Sequence, residues 1–235
     1  MIVKKFLLGV GLSDLTQKQV LEYIVQKVRK SREKFYIVTP NPEFLVLAND
    51  DSEYKKVLNS ADLALADGVG VIWASKILKR GISHRITGIE LIENLCKRAN
   101  DWPVTVSFLG GKPKIAERAA ECLQKRHSSL KVSFAGSEIS NFDKFPPSDI
   151  LFVAFGAPKQ EFWIANNLNK LPIKVAIGVG GAFDFISGNV PRAPKWVRDA
   201  GFEWLFRLII QPWRAKRQLS LIKFIILVIK EKLGI

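Results

Sequence analysis

Residues 150–168 read ILFVAFGAPKQEFWIANNL, and this stretch combines an apolar strand with a helix. Its first six residues are continuously apolar, which is typical of a strand buried on both faces of a parallel sheet. A glycine and a proline follow the strand, and a helical pattern then runs from Lys159 to Leu168. The stretch therefore reads as a strand–turn–helix unit and favours an α/β fold.

The same alternation recurs along most of the chain. Six more apolar runs are predicted strands: Val3–Val10, Phe35–Thr39, Asp62–Ala66, Val104–Leu109, Val132–Ala135 and Val175–Val179. The predicted helices between them are Thr16–Lys30, with Ser13 as its cap, Pro42–Asn59, Val69–Lys79, Ile89–Asn100 and Pro113–His127. Strands that alternate with helices predict βαβ units, and hence a mostly parallel sheet with helices on both faces. Ligands of such sheets bind beyond the carboxyl ends of the strands.

The composition is that of a folded globular protein. The chain has 235 residues, of which 48% are apolar and 25% are charged, and this balance argues against disorder. Two cysteines are too few for a disulfide framework, which favours a reducing compartment. No run approaches the roughly 18–20 apolar residues of a membrane-spanning helix, and the apolar stretch at 6–10 is too short for a signal peptide.

A net charge of +14 indicates an anionic partner, which could be nucleic acid, a phosphorylated small molecule or an acidic membrane surface. Residues 192–235 hold ten Lys and Arg against three Asp and Glu, a net +7, and the first 35 residues hold eight against three, a net +5. The alternation of predicted strands and helices ends near residue 190, and a segment rich in proline, tryptophan and arginine follows. We therefore predict a core over residues 1–191 and a basic helical appendage over residues 192–235.

The appendage is predicted to end in one amphipathic helix that starts near Trp213. Apolar residues recur at spacings of three and four, and three lysines recur at spacings of seven on the side predicted to be opposite and hydrated. The apolar set is Leu219, Ile222, Ile226, Ile229 and Leu233, and the lysines are Lys216, Lys223 and Lys230. A basic helix of this kind fits the interface of an acidic bilayer, and packing on the protein body or in a homo-oligomer is the alternative.

Glycines and small polar residues follow five of the predicted strands and would line one rim of the sheet. They include Thr39, Asn41, Asp67, Gly110, Gly111, Gln160, Gly180, Gly181 and Asp184. Asp67 could accept a proton from an attacking hydroxyl or ligate a metal, or it could simply cap a helix. The glycine pairs could admit a phosphate or only form tight turns, and Asn41 could bind a ligand or close an Asx turn. Arg85 could fork onto a phosphate or lie at the surface.

Several signatures are missing from the sequence. It has no dinucleotide fingerprint, P-loop or spacing typical of metal ligands, so we expect no cofactor and no metal. No helix-turn-helix, RNP or zinc signature supports a nucleic-acid partner.

Seven short motifs occur in a fixed order over nearly the whole chain. They are Thr39-Pro-Asn-Pro-Glu43, Ala66-Asp-Gly-Val-Gly-Val71, Phe108-Leu-Gly-Gly111, Phe155-Gly-Ala-Pro-Lys-Gln-Glu161, Gly178-Val-Gly-Gly-Ala-Phe-Asp-Phe185, Arg192-Ala-Pro-Lys-Trp196 and Gly201-Phe-Glu-Trp-Leu-Phe-Arg207. Each motif alone is weak, but the ordered series resembles the WecG/TagA/CpsF family, glycosyltransferase family 26.

The resemblance implies an inverting, metal-independent glycosyltransferase with a Rossmann-like core, peripheral on the cytoplasmic face of the membrane. In the teichoic acid branch, such enzymes move N-acetylmannosamine from a UDP-sugar to N-acetylglucosamine on undecaprenyl diphosphate. By position, Asp67 matches the proposed catalytic base, and Thr39, Asn41, Arg85 and Gln160 match pocket residues. Arg207, Arg214 and Arg217 match arginines that are thought to close over the lipid diphosphate.

Three alternatives stay open at this point. The family also uses N-acetylmannosaminuronic acid and glucose, so the donor sugar is not fixed by the motifs. A nucleotide-binding protein of the same fold without turnover, or a basic nucleic-acid-binding protein, would be the other classes.

Overall fold

The computed structural model describes residues 2–212 and 215–235, and it describes all of their side chains except those at 100, 199 and 215–218. The eight strands are β1 (Lys4–Leu7), β2 (Val10–Ser13), β3 (Phe35–Val38), β4 (Leu63–Ala64), β5 (Thr105–Gly110), β6 (Lys131–Gly136), β7 (Ser148–Ala154) and β8 (Ile173–Gly178). Six of them form one parallel sheet in the order β4-β3-β8-β7-β5-β6. The predicted α/β class and the parallel sheet are confirmed.

Helices cover both faces of this sheet. They are α1 (Gln17–Lys30), α2 (Pro42–Asp50), α3 (Ser52–Ser60), α4 (Val69–Ile77), α5 (Gly88–Lys97), α6 (Ile115–Arg126), α7 (Lys159–Asn167), α8 (Ala182–Ile186), α9 (Lys195–Asp199), α10 (Glu203–Ile210) and α11 (Ala215–Leu233). Successive residues of β3 point to opposite faces, so Phe35 and Ile37 join the core beside α1, α5 and α6. Tyr36 and Val38 join the core beside α2, α3 and α7.

Three details of the sequence prediction are wrong near the N-terminus. A single strand was predicted over Val3–Val10, but the chain forms a hairpin there. Leu8 and Gly9 both adopt positive φ and form a two-residue turn between β1 and β2. The cap of α1 is Thr16, whose side chain accepts from the Gln19 N–H, and not Ser13. The helix predicted over 42–59 is broken at Asp51, which is extended and caps α3 with its side chain.

The appendage residues fold into α9, α10 and α11, and α11 packs against α2 and α4 of the core. Phe224 and Val228 are buried in this contact. The predicted apolar stripe of α11 stays exposed on the other side, so the face opposite the stripe is the packed one and not a hydrated lysine face. Within the described residues, no helix is both long and apolar enough to span a bilayer.

The sheet topology places a crevice between β5 and β7. The chain leaves β5 towards β6 at the sheet edge, whereas it leaves β7 towards β8 in the opposite direction. Such a reversal opens a ligand-binding crevice beyond the carboxyl ends of the two strands. The sites described next lie at this edge of the sheet.

Candidate active site

A cavity of about 660 Å³ opens beyond the carboxyl ends of β3, β4, β7 and β8. The loops after these strands form its polar floor. The appendage supplies one wall, with Glu203, Trp204, Arg207 and Leu208 from α10 and Leu221, Phe224 and Ile225 from α11. The cavity is therefore formed jointly by the core and the appendage.

Most of the predicted site residues come together in this cavity. Nine of them line it, namely Thr39, Asn41, Asp67, Arg85, Gly111, Gly180, Gly181, Asp184 and Arg207. Gly110 and Gln160 do not line it. The prediction for Arg214 falls outside the described residues, and that for Arg217 falls on a side chain that the structure does not describe.

Asp67 follows β4 and is fixed by its backbone, since its N–H donates to the Pro40 carbonyl over 2.8 Å. It is not the cap residue of α4, which is Gly68 and makes no side-chain cap hydrogen bond. Burial raises the pKa of the Asp67 carboxyl to about 7, with the guanidinium of Arg85 opposing that shift and the carboxylates of Glu90 and Glu203 adding to it. A carboxylate with a pKa near neutrality is well suited to accept a proton during a reaction.

Arg85 connects this site to a chain of alternating charges. Its Nη2 lies 3.7 Å from Glu90 Oε1, and the same oxygen lies 3.9 Å from Arg192 Nη2. Arg192 Nε lies 3.9 Å from Glu203 Oε1 on α10. The charges thus run without interruption from the core loop that carries Arg85 to the appendage.

Gln160 lies beneath the cavity floor, whereas the sequence analysis predicted it in the pocket itself. The side chain is fully buried, and its Oε1 accepts from the Gly180 N–H over 2.9 Å. Its Nε2 donates to Glu161 Oε1 over 2.6 Å, and Glu161 Oε2 accepts from Tyr54 Oη over 3.0 Å. Because Glu161 accepts from the amide nitrogen, the amide oxygen must face Gly180. Gln160 therefore holds the loop after β8 in place.

Glu161 is a buried titratable residue beside Gln160 that the sequence analysis did not single out. Burial raises the pKa of its carboxyl to about 7, although hydrogen bonds from Gln160 and Tyr54 oppose the shift. An adjacent Gln-Glu pair at the start of a helix that follows a buried strand was the signal available in the sequence.

The side chains of Thr39 and Asn41 both form hydrogen bonds with the backbone. Thr39 Oγ1 donates to the Gly178 carbonyl over 3.0 Å. Asn41 Oδ1 accepts from the N–H groups of Glu43 and Phe44 and caps α2, which confirms the Asx-turn interpretation. The amide nitrogen of Asn41 is then the group that could donate to a ligand.

Two predicted glycines have clear steric roles. Gly110 has a φ of 110°, and a Cβ there would lie 2.8 Å from the Ala154 carbonyl carbon, so this glycine permits close strand packing. Gly181 has an ordinary φ, but its Cβ would lie 2.6 Å from Arg207 Nη2. The guanidinium of Arg207 also stacks 4.6 Å from the centroid of the Phe185 ring. The absence of a side chain at Gly181 thus lets α10 place Arg207 over the loop after β8.

A second cavity of about 520 Å³ adjoins the first at the crevice between β5 and β7. The two share Gly111, Ala154, Phe155 and Asp184. Aromatic rings and lysines line the second cavity, among them Phe142, Phe155, Trp163, Lys112 and Lys159. Phe155 packs edge-to-face with Trp163 at 5.5 Å and lies 5.1 Å below the Lys159 ammonium. The cavity therefore offers flat apolar surfaces beside two lysines, and Glu138 and Asp184 line it as well.

In the described part of the chain, no three His, Cys, Asp or Glu residues are placed to hold a metal ion. The expectation of a metal-free reaction stays a prediction.

A parallel sheet with a buried carboxylate, arginines and two joined cavities at its carboxyl edge is the arrangement of α/β proteins that bind nucleotides and related ligands at a topological switch point. Residues 5–235 match the family model described as "Glycosyl transferase WecG/TagA/CpsF family". The chain belongs to this family, which confirms the resemblance inferred from the motifs.

Three relatives carry the same name, N-acetylglucosaminyldiphosphoundecaprenol N-acetyl-beta-D-mannosaminyltransferase. The one from Bacillus subtilis (strain 168) is 33% identical over 221 residues, which cover 89% of this chain and 83% of the relative. The one from Bacillus spizizenii is 36% identical over 211 residues, covering 84% and 79%. The one from Staphylococcus aureus (strain MRSA252) is 34% identical over 237 residues, covering 96% and 92%.

Proposed function

We propose that this protein transfers N-acetylmannosamine from its UDP derivative to N-acetylglucosamine carried on undecaprenyl diphosphate, with inversion to a β-linkage. The observation that carries the proposal is Asp67, which lies in a cavity with a polar floor and an apolar appendage wall, and whose pKa is about 7. The names of the three relatives specify the same sugar, linkage and acceptor.

The chemical step is a direct displacement. The acceptor hydroxyl oxygen bonds to the anomeric carbon while Asp67 takes its proton. The bond from that carbon to the UDP oxygen breaks on the opposite face, and UDP leaves with the electron pair. Arg85 and Arg207 supply positive charge for the phosphate groups on either side of the reacting centre.

The donor nucleotide occupies the second cavity in this proposal. Phe155 and Trp163 offer rings on which a uracil base can stack, and Lys112 and Lys159 offer charge for the diphosphate. Asp184 borders both cavities and can accept from the ribose hydroxyls. The sugar then projects towards Asp67 in the first cavity.

The acceptor lipid enters along the apolar wall, and the protein lies on the cytoplasmic surface of the membrane. Trp73 and Ile225 line the cavity and are 48% and 43% exposed, so the wall opens to the outside. The exposed stripe of α11, including Ile222 at 58%, continues from this wall. A bilayer interface would cover the stripe while flanking lysines meet acidic headgroups.

The catalytic proposal is tested by a screen of UDP-sugars with an undecaprenyl-diphosphate–N-acetylglucosamine acceptor, with UDP release as the readout. We expect turnover with UDP-N-acetylmannosamine, none with the uronic acid or glucose derivative, and no effect of a chelator. Absence of turnover with every donor would refute the enzyme assignment. Turnover lost on chelation would refute the metal-independent mechanism.

The membrane proposal is tested by sedimentation with vesicles. The full chain should bind phosphatidylglycerol vesicles, and the double substitution Ile222→Glu and Ile226→Glu should abolish binding. Val3→Glu is the control for added negative charge, because Val3 is an exposed apolar residue outside α11. Equal loss in the control, or tighter binding to duplex DNA than to vesicles, would refute the proposal.

A further inference from the structure

The loop that carries Arg85 into the cavity has no secondary structure of its own. Residues 80–87 connect α4 to α5 without a helix or strand. Ser75 holds its start, since the Ser75 carbonyl accepts from the Arg80 N–H and Ser75 Oγ accepts from the Ile82 N–H, each over 2.8 Å. These contacts leave the segment just before Arg85 to be fixed by another part of the chain.

Asp14, which lies between β2 and α1 and about 70 residues earlier in the chain, fixes this segment. Its Oδ1 accepts from the Ser83 N–H at 2.9 Å, the His84 N–H at 3.0 Å and His84 Nδ1 at 2.9 Å. Its Oδ2 accepts from Lys5 Nζ at 2.8 Å, and the same ammonium also bonds the Gly81 carbonyl. Asp14 and Lys5 together therefore hold three backbone groups of the loop, namely the Gly81 carbonyl and the N–H groups of Ser83 and His84.

The Asp14 anchor is charged and largely enclosed. Its side chain is only 10% exposed. Partial burial alone would raise the pKa of this carboxyl, but hydrogen bonds from Lys5, Ser83 and His84 lower it well below its ordinary value. Asp14 thus stays ionised at any working pH and accepts charge-assisted hydrogen bonds, which are stronger than neutral ones.

We propose that Asp14, assisted by Lys5, is a positioning residue for the transfer reaction and holds the loop so that Arg85 points into the cavity beside Asp67. Arg85 directly follows His84, whose backbone N–H and ring both bind Asp14. With that anchor the Arg85 backbone is fixed before substrate binds, so less ordering is needed when the guanidinium meets a phosphate. The proposal rests on the proposed function, in which Arg85 binds a substrate phosphate.

A double-mutant cycle tests this role. Asp14→Ala should lower kcat/KM roughly 10- to 100-fold, because small misplacements of a positioning group have effects of this size. Asp14→Asn keeps an oxygen acceptor for the two backbone N–H groups and should lose less. In an Arg85→Gln background, Asp14→Ala should change kcat/KM by less than twofold, since the group that it positions is already absent.

Asp149→Ala is the matched control. Asp149 also accepts from one backbone N–H, that of Thr105, at 3.0 Å, and from one lysine, Lys174, at 2.9 Å. It lies at the start of β7, at the amino edge of the sheet and thus away from the cavity. Its loss should lower the unfolding temperature and leave kcat/KM within twofold.

The outcomes distinguish a failure of the proposed function from a failure of the positioning role of Asp14. If Arg85→Gln itself keeps full activity, the phosphate-binding role of Arg85 in the proposed function is wrong. If Arg85→Gln is impaired and Asp14→Ala lowers kcat/KM equally in both backgrounds, the positioning role of Asp14 is wrong. Lys5→Met, which removes only the lysine of the anchor, replaces Asp14→Ala if that variant does not fold, and the same cycle applies to it.

Discussion

Replacing Asp67 by asparagine should lower turnover and raise stability together. As the proposed general base, Asp67 would contribute a factor of about 10²–10⁴ to the rate, and an amide cannot take the proton. Its pKa is about 7 in the folded protein, against an ordinary value of 3.8. This difference corresponds to about 4 kcal/mol against ionisation in the folded state.

The sign of the stability effect follows from where the proton is bound. Between pH 3.8 and about 7 the unfolded chain has released the Asp67 proton and the folded chain has kept it. Stability of the parent protein therefore falls as pH rises through this window, and the loss is complete above pH 7. Asp67→Asn removes this effect, so its stability gain should be absent at pH 3.5 and largest at pH 8.

Water in the open cavity weakens the desolvation of Asp67, so we expect a gain of about 2–4 kcal/mol at pH 8. For a chain of this length the gain corresponds to a rise of roughly 4–16 °C in Tm. The assays are thermal unfolding at pH 3.5 and pH 8, the transfer rate at pH 8, and calorimetric binding of UDP, which should be unchanged. Glu43→Gln, at another carboxylate of the same cavity, is the control and should keep a measurable transfer rate.

Two results would refute this reasoning. Transfer by Asp67→Asn within tenfold of the parent rate would show that another group takes the proton. An equal change in Tm at both pH values would show that Asp67 is not held protonated by its surroundings.

Three further predictions concern neighbouring residues. Arg85→Gln removes the positive charge that lowers the pKa of Asp67, so the acidic limb of the kcat/KM–pH profile should shift to higher pH. An unshifted limb would contradict the electrostatic coupling between Arg85 and Asp67. Gly181→Ala puts a methyl group 2.6 Å from Arg207 Nη2, too close for the guanidinium to stay in place, and Gly181 has an ordinary φ. Transfer should therefore fall at least tenfold while Tm changes by less than about 2 °C, and full activity would show that the contact is dispensable. Glu161→Gln brings an amide donor against a buried donor, so urea unfolding should show a loss of about 1–3 kcal/mol; an unchanged midpoint would contradict the hydrogen-bond network.

The sequence patterns predicted the sheet because each strand is a local apolar run that ends in a glycine, proline or small polar residue. They did not predict the hairpin, since its turn depends on Leu8 adopting a positive φ, which the residue type disfavours. The break at Asp51 was missed for a related reason, because a helical pattern continues on both sides of it.

The sequence predicted where the site lies better than it predicted the chemical properties of the site residues. Strand ends identified Asp67, Thr39 and Asn41, because residues that follow parallel strands meet at one edge. The raised pKa of Asp67 was not predictable, since it depends on burial and on Glu203, which is distant in sequence. Gln160 was placed in the pocket because its motif lies at a strand end, and nothing local shows that its side chain turns inward.

In the proposed function, the appendage would link membrane attachment to the strength of Asp67 as a base. Glu203 and Arg207 both lie on α10, so one helix raises the pKa of Asp67 and also brings a guanidinium over the loop after β8. If α10 moved away, Asp67 would gain water and lose the nearby carboxylate, and its pKa would fall towards the ordinary value. A carboxylate with a lower pKa is a weaker proton acceptor. Docking of the exposed α11 stripe on a bilayer would stabilise the arrangement in which α10 covers the site, so the base would be strongest where the lipid-linked acceptor is found.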